Sequence, residues 1–149
     1  MVKVISFISR KGGTGKTTNA INLATSLHDL GKKVLLVETD ANYTLSTLRK
    51  MEMYKSPEKS HTFEIVGSDD TRIADELVVI KKDKRLDIVI VDSAGKTTDA
   101  GIKKLCLISE VVIVPTSLTQ NDLLVTYQTV TDLAPARELN VFPNVQRRH

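Results

Sequence analysis

The chain has 149 residues, 41% hydrophobic and 26% charged, the composition of one ordinary globular domain able to bury a core. Its 21 Lys and Arg against 18 Asp and Glu leave a formal charge of +3, which permits contact with nucleic acid without implying it. Cys106 stands alone, which excludes an intramolecular disulfide and a zinc site of several thiolates, and no run approaches the ~20 apolar residues that span a bilayer, so a cytoplasmic protein with no integral membrane segment is expected.

In chain order, the β-branched apolar run over residues 2–8 predicts a strand buried on both faces and is too short for a signal peptide. Residues 17–30 follow with Ile21, Ala24, Leu27 and Leu30 at helical spacing, and Gly31 stands as a C-cap. A second strand is expected over 34–37, which completes a strand-helix-strand unit of the kind parallel strands need. Residues 43–64 are polar and carry Pro57, and predict a mobile loop or a short helix, with a strand over 61–66. A helix over 70–82 is predicted from Ile73, Leu77 and Ile80, then strands over 86–91 and 111–114. Thr119-Gln-Asn-Asp122 has the form of a capping box and predicts a helix running to about residue 134, followed by a strand around Val141. Strands alternating with helices predict a doubly wound, mostly parallel α/β sheet with helices on both faces, read as a single domain over 1–149, with ligands at the carboxyl ends of the strands.

Gly12-Gly13-Thr14-Gly15-Lys16-Thr17 directly follows the first strand and opens the first helix, the context that makes a glycine-rich string a phosphate site. Backbone N–H groups turn inward there, and the helix N-terminus favours an anion. Lys16 supplies a charge for β- and γ-phosphates and Thr17 a hydroxyl for Mg²⁺. A plain strand-to-helix turn requires neither residue. The general P-loop pattern expects glycine where this chain has Arg10. Asp40 ends the segment Glu38-Thr39-Asp40, where a carboxylate serves equally as a helix cap or a catalytic group. Asp92 closes the run over 86–91, the Walker B arrangement in which a buried strand delivers a carboxylate toward magnesium; capping a turn is the plainer alternative.

Lys11-Gly12-Gly13-Thr14-Gly15-Lys16-Thr17-Thr18 resembles the deviant Walker A motif of the ParA/MinD family of P-loop ATPases. The resemblance implies that Lys11 crosses the interface of an ATP-bound homodimer to touch the partner's phosphates. It implies that Glu38 to Asn42 is switch I, with Asp40 positioning the attacking water, although Glu38, Ala41 and Asn42 depart from the family's Asp-x-Asp-Pro-Gln. Ser93-Ala94-Gly95 resembles switch II, Pro115-Thr116 a segment near the nucleotide, and Asn144 the asparagine that contacts adenine. The cofactors implied are ATP or ADP with Mg²⁺. Complete family members continue through further helices and at least one strand, so the chain is expected to be incomplete at its C-terminus.

Within the family, a P-loop beginning near residue 11 resembles small ParA-type partition ATPases, which implies action on non-specific DNA, a nucleoid-associated location and a centromere-binding, ParB-like partner. A MinD-type positioning ATPase requires an amphipathic membrane anchor, and none is evident over 144–149. A nitrogenase-like iron protein needs two cluster cysteines per subunit and is excluded by Cys106 alone. A small-molecule synthetase or kinase on the same scaffold is the remaining class. Cys106, among Leu105, Leu107 and Ile108, reads as core, and His28, His61 and His149 share no ligand spacing. The cations at 81–85, with Lys103, Lys104, Arg147 and Arg148, read either as a solvated helix end or as part of a DNA-contacting face.

Overall fold

The computed structural model describes residues 1–57, 62–94 and 99–138, without the side chains of 136–138. Five parallel strands, β1 (Lys3–Phe7), β2 (Val34–Glu38), β3 (Glu64–Gly67), β4 (Ile88–Asp92) and β5 (Val111–Ile113), form one sheet in the order β3-β2-β4-β1-β5. The expected doubly wound architecture is present. Five helices connect them: α1 (Lys16–Asp29), α2 (Thr44–Lys55), α3 (Ile73–Ile80), α4 (Asp99–Ile108) and α5 (Gln120–Glu138).

Strand alternation divides the core. Val4, Leu35, Val37, Val89 and Val91 face one layer with Ile73, Leu77, Ile102, Leu105 and Leu133, and hence α3, α4 and α5. Phe7, Val34, Leu36 and Ile90 face the other, with Ala20, Ala24 and Leu45 of α1 and α2. The same parity sends Glu38 and Asp92, at the ends of β2 and β4, toward the α1 and α2 layer. These two residues are register partners on adjacent strands. Two acidic side chains thus reach the α1 and α2 face of the sheet because of where each strand stops.

The α1 C-terminus ends as anticipated, with Gly31 N–H bonded to His28 O and Lys32 N–H to Leu27 O, the two hydrogen bonds of a Schellman motif. Of the loop or short helix expected after Tyr43, the helix is found: α2 runs for 12 residues, because Leu45 packs into the core and Glu38 satisfies its first N–H groups. The strand expected over 61–66 is β3, shifted toward Gly67, and His61 lies outside the described residues. The helix expected over 70–82 is confined to Ile73–Ile80, since turns around Asp69 and Asp83 close its ends. Helix α4 was not anticipated from the sequence. Helix α5 continues past residue 134 to Glu138 with Pro135 inside it, although proline there removes an N–H bond and crowds the carbonyl four residues back; Leu133 anchors the preceding turn in the core. The expected strand around Val141 falls outside the described residues.

Candidate functional site

The cradle begins where β1 ends. Gly15, at the N-cap of α1, has φ of 83°, a left-handed value that a Cβ disfavours, and a Cβ there would also lie 3.3 Å from Asn19 Nδ2. With Gly13, Thr14, Lys16, Thr17 and Thr18 it lines a cavity of about 310 Å³. Lys16 is only 8% exposed, and its ammonium donates to Lys11 O at 3.2 Å. Burial lowers its pKa, while the nearby carboxylates of Asp92 and Asp40 act in the opposite direction. A charge held in a partly desolvated loop is poised for a stronger anionic partner.

Asp92 is that loop's other half. Its Oδ2 accepts the Thr17 hydroxyl at 2.6 Å, and its Oδ1 is buried with no hydrogen-bond partner among the described residues. Burial raises its pKa, and Thr17 and Lys16 offset only part of that rise. Thr14 Oγ1 is also buried without a partner among the described residues. Thr14 opens as well onto an adjoining cavity of about 490 Å³, which Asn19, Asn22, Ile113, Pro115 and Thr116 help to line. No group of three or more His, Cys, Asp or Glu with metal-binding geometry occurs among the described residues. A hydroxyl and a carboxylate oxygen side by side are nevertheless hard donors suited to magnesium that also takes phosphate oxygens and water.

Residues 38–43 form a braced turn. Glu38, 2% exposed, accepts from Leu45 N–H at 2.9 Å, Ser46 N–H at 2.8 Å and Ser46 Oγ at 2.7 Å, so its carboxylate caps α2 across space. Thr39 donates its hydroxyl to Asp70 and accepts Ala94 N–H at 2.9 Å, which links this turn to the residues after β4. Asp40 is exposed and accepts Asn42 N–H at 3.0 Å in a local Asx turn. Tyr43 then adopts a left-handed φ of 46° as the N-cap of α2. Its ring lies against Gly67, where a Cβ would be 2.3 Å from Tyr43 Cδ1.

Residues 2–93, more than half of the chain, match the family model of an AAA domain. The chain belongs to the ParA/MinD family of P-loop ATPases. The septum site-determining protein MinD of Bacillus subtilis strain 168 is 32% identical over 99 residues, which cover 66% of this chain and 35% of MinD. A plasmid partition protein of Borrelia burgdorferi B31, solved with AMPPNP, superposes with a TM-score of 0.69 at 20% identity, covering 95% of this chain and 72% of the other. The structure of pNOB8 ParA bound to nonspecific DNA gives 0.66 at 22% identity, covering 98% and 63%. The matches span 26% to 35% of the length of the first curated relatives.

Set against the ParA/MinD motifs, the fold brings together Lys16, Thr17, Asp92 and, electrostatically, Asp40. Lys11 is paired within its own chain: its ammonium meets Asp122 in the first turn of α5, and Asp122 also accepts the Ser117 hydroxyl. Only half of the expected capping box forms. Asp122 N–H bonds to Thr119 Oγ1 at 3.2 Å, while the Asp122 carboxylate serves Lys11 and Ser117. Asn144 and Gly95 lie outside the described residues. Sequence reasoning missed the roles of Glu38, Thr39 and Asp122 as braces; the alternation of β2, which aims Glu38 at the α2 layer, was the available signal for the first. Cys106 is core, at 1% exposure. Of the basic cluster, Lys81 is engaged with Ile108 O and Glu110, and Arg85 with Asp83. No helix among the described residues is long and apolar enough to cross a membrane.

Proposed function

We propose that this chain binds ATP with magnesium in the cradle of residues 11–18 and hydrolyses it as the ATPase of a ParA-type partition system. The observation that carries this reading is a glycine-lined cavity after β1 that Lys16 and Thr17 line, with the Asp92 carboxylate, at the end of β4, held on the Thr17 hydroxyl and close to the Lys16 charge. The backbone N–H groups of residues 12–16 and the Lys16 ammonium hold the β- and γ-phosphates. Thr17 Oγ1 and the Asp92 carboxylate would hold Mg²⁺, and the unpartnered buried Oδ1 fits that use. Bound magnesium neutralises charge on the phosphate oxygens.

Asp40 orients the attacking water; it is exposed, and its carboxylate is near enough to Lys16 to act on that charge. Lys11 exchanges Asp122 for the partner's phosphates when two ATP-bound subunits close. Adenine is assigned to Asn144. The dimer binds non-specific DNA, as the pNOB8 ParA structure does, and a ParB-like centromere-binding protein stimulates hydrolysis. The location that follows is cytoplasmic, on the nucleoid. The likeness to Bacillus subtilis MinD supports a second reading, a positioning ATPase on a membrane surface.

One experiment separates the two. The protein is incubated with a non-hydrolysable ATP analogue and sedimented with random-sequence duplex DNA or with vesicles of anionic lipid. Nucleotide-dependent retention on DNA supports partition. Retention on vesicles alone transfers the protein to the MinD class, and absence of nucleotide binding by calorimetry ends both readings.

A further inference from the structure

Arg10 stands where the general P-loop has glycine, and the cradle chemistry makes no use of it. Its guanidinium forks between two helices, with Nη2 on Asp99 Oδ1 at 2.8 Å, in the first turn of α4, and Nη1 on Asp132 of α5. Its Nε is buried without a partner among the described residues. The next residue, Lys11, is paired with Asp122 of the same α5, and its carbonyl accepts the Lys16 ammonium at 3.2 Å. A continuous set of bonds therefore runs from the phosphate lysine through the backbone of residues 10–11 to both helices.

We propose that Arg10 is a positioning residue that transmits the nucleotide state of the P-loop to α4 and α5. The inference rests on the reading that Lys16 binds phosphate. When phosphate takes the Lys16 ammonium, Lys11 O loses its donor and the loop at 10–11 resettles; Arg10, held by a carboxylate on each helix, carries that movement outward. The two ion pairs suit coupling better than stabilisation. Asp99 and Asp132 side chains are 76% and 40% exposed, and ion pairs so accessible to water contribute little to global stability. Their value is directional, because a planar fork fixes two partners at once. Lysine would hold one of them.

The test is amide hydrogen exchange of the full chain with and without a non-hydrolysable magnesium–ATP analogue, read over α4 and α5, together with calorimetry of the same analogue. In the wild type, nucleotide changes protection in both helices. Arg10→Gln is expected to melt normally and to bind the analogue within about threefold of wild type, yet to lose most of the exchange response. Arg10→Lys recovers part of it, and Asp132→Asn reduces the α5 response to what passes through the Lys11–Asp122 pair, while the α4 response persists through Asp99. A full wild-type response in Arg10→Gln overturns the proposal. So does a loss of affinity beyond about tenfold in Arg10→Gln, which would make Arg10 a direct ligand. If the wild type itself takes up no nucleotide, the ATP reading falls first and the coupling falls with it; wild-type binding combined with an unaltered Arg10→Gln response defeats the coupling alone.

Discussion

Thr17 donates its hydroxyl hydrogen to Asp92 Oδ2 at 2.6 Å, joining the first turn of α1 to the end of β4. The bond draws together the two oxygen donors of the proposed magnesium site, while burial keeps the Asp92 pKa raised despite it. A group whose folded pKa is raised disfavours the folded state as pH rises from its unfolded value, 3.8, through the folded one.

Asp92→Asn is therefore expected to raise the melting temperature of the nucleotide-free protein at pH 7, with the gain vanishing below pH 3.8. It should also remove the dependence of ATP affinity on magnesium, so that chelation with EDTA no longer weakens binding. Differential scanning calorimetry and titration calorimetry read the two effects. A variant that melts lower at pH 7 and still responds to EDTA as wild type does would reject the placement of the metal.

Lys16→Ala removes the charged donor while leaving the backbone cradle. The loss of charge-assisted bonds worth roughly 1.5–3 kcal/mol should weaken ATP binding by about 10- to 100-fold. Unchanged affinity in the folded variant would place the nucleotide elsewhere.

Asp40→Ala should leave ATP affinity within about threefold and slow single-turnover hydrolysis by about 100-fold or more. Its Asx turn is local, so the fold should persist. Equal rates in variant and wild type would reduce Asp40 to a turn residue.

Lys11→Ala separates the pairing within the chain from the proposed reach across a dimer. It leaves the buried Asp122 carboxylate with the Ser117 hydroxyl but no charged partner and should cost about 1–2 kcal/mol of stability, most of it recovered by adding Asp122→Asn. Both variants should bind nucleotide as monomers and fail to dimerise with the analogue. The DNA affinity gained on dimerisation should disappear with it, along with a salt slope of about 0.9 per neutralised phosphate. Analytical ultracentrifugation showing an analogue-dependent dimer of Lys11→Ala would refute the trans role.

Glu110 offers a pH test remote from the cradle. Burial opposes its ionisation, but the Lys81 ammonium at 2.7 Å and the Val4 N–H together bring its pKa below 4.5. A depressed carboxylate contributes stability above its unfolded value and loses it as pH falls through the folded one. Denaturant titrations should show the wild-type advantage over Glu110→Gln shrinking as pH falls below 4.5.

Four strands were legible because each is a short β-branched apolar run, and the P-loop because its glycines, lysine and threonine directly follow the first of them. Helix α4 was not. Its Ile102, Leu105 and Cys106 carry helical spacing, but the glycine and paired lysines among them dilute the pattern, and burial against β1 and α3 decides the outcome. Helix α2 was half legible, since its N-terminal partner Glu38 sits outside the helix and belongs to a strand. The roles of Arg10 and Asp122 were hidden for a further reason. Each depends on a partner more than 100 residues away, at separations |i−j| of 122 and 111, and no local pattern encodes that.

The close approach of Tyr43 to Gly67 reaches beyond packing. Asp40 O accepts Tyr43 N–H at 3.0 Å, so the ring and the proposed water-orienting carboxylate are two ends of one stiff bend. The bare Cα at 67 is the seat on which that bend rests. Any side chain there would evict the ring and lift the bend, altering the reach of Asp40 without touching a single nucleotide-facing atom. The rate of the proposed hydrolysis would thus be set partly by a residue with no chemistry of its own, at the edge of the sheet, where a search for reactive groups would never look.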